Sequence, residues 1–254
     1  MNIADVLAGY PALAIAVSGG VDSLTLAEAA HRVLGERARV YHAISPAVAP
    51  EGTRRAVALA EERGWRLEIV DAGEFGDARY LANPVNRCYF CKSHLYDRIR
   101  ELTDAPIASG ANTDDLADYR PGLEAAAERG IVHPFITAGL DKASVRALAR
   151  DFGLGDIAEL PASPCLSSRV HTGMVIHPDE LALVARVERA LAAASPAGAT
   201  LRCRITPTGV FVESEPYPPD AAALDAASAV IVSAGHRFCG ARPYRRGAMT
   251  GVHP

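Results

Sequence analysis

The chain lacks membrane-like sequence. No apolar run approaches the roughly 20 residues that span a bilayer, and no basic stretch leads into a hydrophobic one at the N-terminus. A cytoplasmic protein with no membrane partner is therefore expected. Positive charge is not in excess: 26 Lys and Arg against 30 Asp and Glu leave a net charge of −4. That balance disfavours a broad nucleic-acid-binding face. The five cysteines in 254 residues are odd in number and follow no export signal, which argues against a disulfide framework and for thiols used in chemistry or metal binding. Internal repeats and low-complexity tracts are missing too. What remains is an ordinary globular mixture, 49% hydrophobic and 22% charged, long enough for one large domain with a small companion.

Strand-like and helix-like segments alternate through the first half. Residues 12–17 form a continuous apolar run typical of a buried parallel strand. Segments 39–44, 66–70, 105–109 and 131–135 read as further strands. Helices are expected over 51–63 and 89–102, and from Asp141, which suits an N-cap. The alternation predicts an α/β fold, a doubly wound parallel sheet, over residues 1–174. After about residue 175 the texture changes. Pro178 opens a helix, and 200–206 with 210–214, split by Pro207-Thr208-Gly209, read as a hairpin. A helix near 220–227 and one or two strands complete a small α+β domain over 175–254.

Between the first strand and first helix lies Ser18-Gly19-Gly20-Val21-Asp22-Ser23. Two glycines let the backbone turn tightly and approach a ligand closely. The helix start then directs free N–H groups and a positive dipole end at the loop, so an anion is its natural guest. Ser18 and Ser23 add hydroxyl donors. Asp22 would repel a phosphate, and makes sense as a ligand of Mg²⁺ or water. The loop is neither a Walker A motif nor a dinucleotide G-x-G-x-x-G.

Cys88 and Cys91 form a C-x-x-C followed by Lys92 and His94, and Cys165 stands in Pro161-Ala162-Ser163-Pro164-Cys165-Leu166-Ser167-Ser168-Arg169. Three readings are open: a [4Fe–4S] cluster on the three thiols with one iron left open, a zinc site completed by His94, or a redox pair at Cys88 and Cys91. Lys92 and Arg169 would favour the thiolates. Cys203 and Cys239, each alone on an expected strand, read as small hydrophobes.

The hexapeptide resembles the PP-loop of the ATP pyrophosphatase superfamily. Three further blocks, N-R-C-Y-F-C-K-S-H-L-Y from Asn86, S-G-A-N-T-D-D-L-A-D-Y-R-P-G over 109–122 and A-S-P-C-L-S-S-R over 162–169, resemble the LarE family of ATP-dependent sulfur transferases, in the family's order. The resemblance implies that Ser18, Gly19, Gly20, Asp22 and Ser23 hold the pyrophosphate part of ATP and its Mg²⁺. It also puts Ser45 near the adenine or ribose. A substrate carboxylate would be adenylated and AMP then displaced by sulfur. The family has two subtypes. In one a single cysteine, matching Cys165, gives up its own sulfur. In the other three cysteines, matching Cys88, Cys91 and Cys165, hold a [4Fe–4S] cluster that carries an extra sulfide, and with all three present the chain resembles the second. Lys92, Arg120 and Arg169 are the candidate cations for the developing phosphate charge. Asp114 and Asp115, just past the fourth strand, are candidates for binding Mg²⁺ or orienting ATP. The expected partners are a small carboxylic acid or nucleotide substrate, sulfide or another sulfur donor, and further copies of the chain in a homo-oligomer.

Two positions depart from the family. Met174 stands where an acid is common, and so does Arg242, while Tyr244-Arg245-Arg246-Gly247 keeps the closing motif. A more positive pocket, and as substrate a different carboxylic acid or a differently charged nucleotide from that of typical members, are the resulting expectations. Rival readings are a tRNA-thiolating PP-loop enzyme, an amidating synthetase, and a nucleotide-binding protein that has lost catalysis.

Overall fold

The computed structural model describes residues 2–117, 120–196 and 198–245. Asp118 and Tyr119 of the 109–122 block, and Arg246 and Gly247 of the closing motif, lie outside them. In chain order the elements are α1 (Ile3–Ala8), β1 (Leu13–Val17), α2 (Val21–Leu34), β2 (Ala38–Ile44), α3 (Pro50–Arg63), β3 (Arg66–Asp71), α4 (Ala78–Leu81), α5 (Arg87–Leu102), β4 (Ile107–Ser109), α6 (Pro121–Glu128), α7 (Pro134–Thr137), α8 (Lys142–Asp151), α9 (Gly155–Ala158), α10 (Pro178–Ala193), β5 (Thr200–Thr206), β6 (Gly209–Glu215), α11 (Ala221–Ser233) and β7 (Phe238–Pro243). No helix among the described residues is long and apolar enough to cross a membrane.

Two compact units result. The first comprises Met1–Asp77 and Asn86–Ser163. It is an α/β unit on a four-stranded sheet in the order β3-β2-β1-β4, with every pairing parallel. β1 is buried along its whole length, and its side chains alternate between two cores. Leu13, Ile15 and Val17 pack with α2 and α8 residues such as Leu24, Ala27, Val145 and Ala149. Ala14 and Ala16 pack on the other face with Tyr41, Tyr96, Ile99 and Ile107. Helices therefore cover both faces, as the doubly wound reading required.

The expected strand over 131–135 is cut to a single parallel bridge between Ala108 and Val132. Pro134 accounts for the difference. It has no N–H for a ladder, and its fixed φ suits the first position of α7.

The second unit takes Ala78–Val85 together with the chain from Pro164 onward. By contacts the boundary thus falls at 163/164 rather than 174/175, and a short segment from the first half joins the C-terminal unit. Its sheet runs β5-β6-β7, with β5 antiparallel to β6 and β7 parallel to it. The expected hairpin forms, with Thr206 paired to Gly209 across Pro207-Thr208.

Candidate functional site

In the first unit the sheet order reverses between β1 and β4, the topological switch point where open parallel sheets receive ligands. The Ser18–Ser23 loop leaves the carboxyl end of β1 there. Gly20 is the N-cap of α2 and contributes no side-chain capping bond, so the first N–H groups of a 14-residue helix are not claimed by a cap. Ser23 Oγ accepts from Ser18 N at 3.0 Å and lies 3.2 Å from Ser18 Oγ, which closes the loop on itself. Gly19 has a φ of +78°, and a Cβ there would fall 2.3 Å from Gly52 O of α3. Both the turn and the close approach need glycine.

Asp22 is the loop's carboxylate. Asn112 Nδ2 donates to its Oδ1 at 3.2 Å, and Lys142 Nζ makes a short ion pair with its Oδ2. These partners come from the segment after β4 and from the first residue of α8, so three chain segments meet at one carboxylate. Gly110 permits the meeting, since a Cβ there would lie 2.8 Å from the backbone of Asp22 and Ser23. Asp114 and Asp115 belong to the same segment but serve it locally. Asp115 accepts from Asn112 N at 3.1 Å and pairs with Arg120 at 2.9 Å, while Asp114 accepts from Lys142 N at 3.3 Å. Ser45, just past β2, accepts from Ala47 N at 3.3 Å.

Behind the loop sits His42, fully buried. Its Nδ1 lies 3.0 Å from Val17 O, the residue before Ser18, and its Nε2 lies 2.9 Å from Thr53 Oγ1 of α3. Burial pushes its pKa below the usual histidine value. The neutral ring thus donates to Val17 and accepts from Thr53, tying β1 to α3.

Cys88 and Cys91 occupy the first turn and a half of α5, three residues apart and so on one face. Cys88 is exposed and Cys91 half-buried. Lys92 Nζ lies 5.9 Å from the centre of the Tyr96 ring. His94 Nε2 is held by Asp77 Oδ2 at 2.9 Å, so a zinc site would have only Nδ1 of that ring to draw on. Among the described residues no three His, Cys, Asp or Glu side chains gather as a metal site.

In the second unit Cys165 is exposed at the head of a short 3₁₀ turn, Leu166–Arg169. The loop is held firmly. Ser168 Oγ donates to Cys165 O at 2.7 Å, and Tyr80 Oη lies 2.7 Å from Ser167 Oγ. Arg169 is only 2% exposed; it donates to Pro164 O at 2.7 Å and pairs with both Glu188 oxygens at 2.9 and 3.1 Å. Its guanidinium is spent on presenting Cys165. The expected role as a phosphate-facing cation is corrected accordingly. Arg242 lies 2.9–3.0 Å from buried Glu213, which also pairs with Arg204 at 2.7 Å. One carboxylate between two guanidinium groups leaves the trio with one net positive charge. Burial drives the Cys203 thiol pKa far up, in keeping with a small hydrophobe.

No family model matches the chain. It is 43% identical over 178 residues, 68% of its length, to the uncharacterized protein slr1717 of Synechocystis, covering 66% of that protein. Over 182 residues, 70% of its length, it is 31% identical to the pyridinium-3,5-bisthiocarboxylic acid mononucleotide synthase of Lactiplantibacillus plantarum, again covering 66%. That kinship supports the LarE family. A third relative, the uncharacterized protein MJ0830 of Methanocaldococcus jannaschii, is 25% identical over 181 residues, 70% of this chain and 68% of its own length. The matched part of the chain thus spans just under two thirds of the first two relatives.

The loop residues Ser18, Gly19, Gly20, Asp22 and Ser23 stand together at the carboxyl end of β1. Lys142, His42 and Arg55, whose Nε donates to Gly19 O at 3.0 Å, were missed by the sequence reading. They reach the loop from α8, β2 and α3, and no local motif marks them. One signal was available for Lys142: the chain has only two lysines, at 92 and 142, among 26 basic residues.

Proposed function

We propose that the chain is an ATP-dependent sulfur transferase that adenylates a substrate carboxylate and replaces AMP with sulfur. The observation carrying this reading is the loop at the β1/β4 switch point, where unclaimed N–H groups of α2 flank Asp22, itself held by Lys142 and Asn112. The loop's donors suit a pyrophosphate, and Asp22 suits its Mg²⁺. Lys142 sits where it can pass from Asp22 to the phosphates as Mg²⁺ takes the carboxylate.

A carboxylate oxygen of the substrate attacks the α-phosphorus, the bond between that phosphorus and the α–β bridging oxygen breaks, and pyrophosphate leaves into the loop. A sulfur nucleophile then attacks the acyl carbon and AMP departs, leaving a thiocarboxylate. Cys88, Cys91 and Cys165 have the donor chemistry for a [4Fe–4S] cluster, which when bound would supply the sulfide. The substrate class follows the synthase relative, a carboxylic acid mononucleotide. A homo-oligomer in the cytoplasm completes the proposal.

The test is anaerobic incubation with ATP, Mg²⁺, sulfide and the pyridinium biscarboxylate mononucleotide. AMP, pyrophosphate and a product heavier by the exchange of oxygen for sulfur are expected. ADP as the product, or turnover without sulfur in the product, would overturn the reading.

A further inference from the structure

Arg55 lies one turn into α3, and its guanidinium reaches back to the loop. Nε donates to Gly19 O at 3.0 Å. That is its one hydrogen bond among the described residues, although a guanidinium carries five N–H donors. Among the described residues no carboxylate stands within ion-pair distance of it. Glu51, one turn earlier, is engaged with Arg54 at 2.9 Å. The side chain cannot drift far from the loop, because α3 presses against it: Gly52 backs directly onto Gly19 and lies against Ser18 O.

Burial pulls the Arg55 pKa below its ordinary value, opposed by Glu51 and assisted by Arg54. A half-buried cation with four unused donors and no carboxylate in ion-pair contact is costly unless something negative completes it. The adjacent loop already reads as an anion site.

We infer that Arg55 is a pyrophosphate-binding residue, anchored through Nε on Gly19 O and lending its Nη groups to the terminal phosphates. This rests on the nucleotide reading of the loop. The guanidinium would gain most as the bond between the α- and β-phosphates breaks and charge gathers on the leaving pyrophosphate. It stabilises that charge by hydrogen bonding and moves no proton.

The experiment titrates the full-length protein separately with Mg²⁺-pyrophosphate and with AMP, for wild type, Arg55→Ala, Arg55→Lys and Arg55→Gln, with circular dichroism checking each fold. Arg55→Ala should weaken pyrophosphate binding roughly ten- to a hundredfold and leave AMP binding within about twofold. Arg55→Lys, which keeps the charge but not the fork, should fall between. Arg55→Gln decides between ligand and prop, since it can still donate to Gly19 O without charge. Binding as weak as that of Arg55→Ala supports the inference. Recovery of wild-type affinity in Arg55→Gln would make Arg55 a prop for the loop and overturn it, and so would unchanged pyrophosphate affinity in Arg55→Ala. A wild type that binds no pyrophosphate would instead end the nucleotide reading, and this assignment with it.

Discussion

Single residues set the chemistry here through what holds them. The Asp22 side chain is 29% exposed and shared between Lys142 and Asn112, so its charge is fixed in place without being sealed off. Lys142→Met should leave Asp22 with Asn112 alone and cost about tenfold or more in pyrophosphate release, mostly through weaker ATP·Mg²⁺ binding. Steady-state kinetics over a range of Mg²⁺ concentrations would show it. An unchanged KM for ATP would detach Lys142 from the nucleotide. The thiols divide just as sharply. Cys88 and Cys165 are exposed, whereas Cys203 is fully buried with its pKa driven up. Brief alkylation of the native metal-free protein should modify Cys88 and Cys165 and spare Cys203 until denaturant is added. Peptide mapping by mass spectrometry reads the order.

At the scale of elements, sequence pattern reached as far as its periodicities. The apolar run ending at Val17 and the hexapeptide after it are local, and both stand where expected. Asp141 caps α8 as read, accepting from Ser144 N at 2.8 Å. The strand over 131–135 failed because apolar pattern outweighed Pro134, whose missing N–H should have argued against it. The partners of the loop were illegible for another reason. His42, Arg55 and Lys142 make their contacts there across 25 to 120 residues of sequence, and only the parallel sheet order makes them neighbours. His42 also makes β1, β2 and α3 sensitive to pH. Burial depresses its pKa and that of His133, which bonds Ser109 at 2.8 Å at the end of β4. The unfolded chain therefore takes up protons at these rings before the folded one does. Stability is full above the unfolded value near 6.5 and is lost as pH falls below it. Melting followed at pH 7.5 and 5.5 should show a lower midpoint at 5.5, and His42→Gln should reduce that difference. An equal difference in the variant would remove His42 from the account.

Over the whole molecule, the chain is not divided where its sequence texture changes. Ala78–Val85 precedes the C-x-x-C helix in sequence yet belongs with the Cys165 loop. Asn83 shows why so short a segment matters. It is fully buried, sits at φ +52°, donates to Val170 O and His171 O at 3.3 and 3.0 Å, and accepts from Gly173 N at 2.8 Å through its carbonyl. Tyr80, 1% exposed, adds the contact to Ser167. Asn tolerates the left-handed region better than other side chains, so Asn83→Ala adds backbone strain to two lost hydrogen bonds. A cost of about 2–4 kcal/mol is expected. Where the loss appears matters more than its size. If the segment works as part of the second unit, hydrogen exchange should quicken over 164–176 and β5 while β1 and β2 keep their protection. Exchange that quickens equally in β1 and β2 would show that the segment serves both units alike, and that the chain unfolds as one.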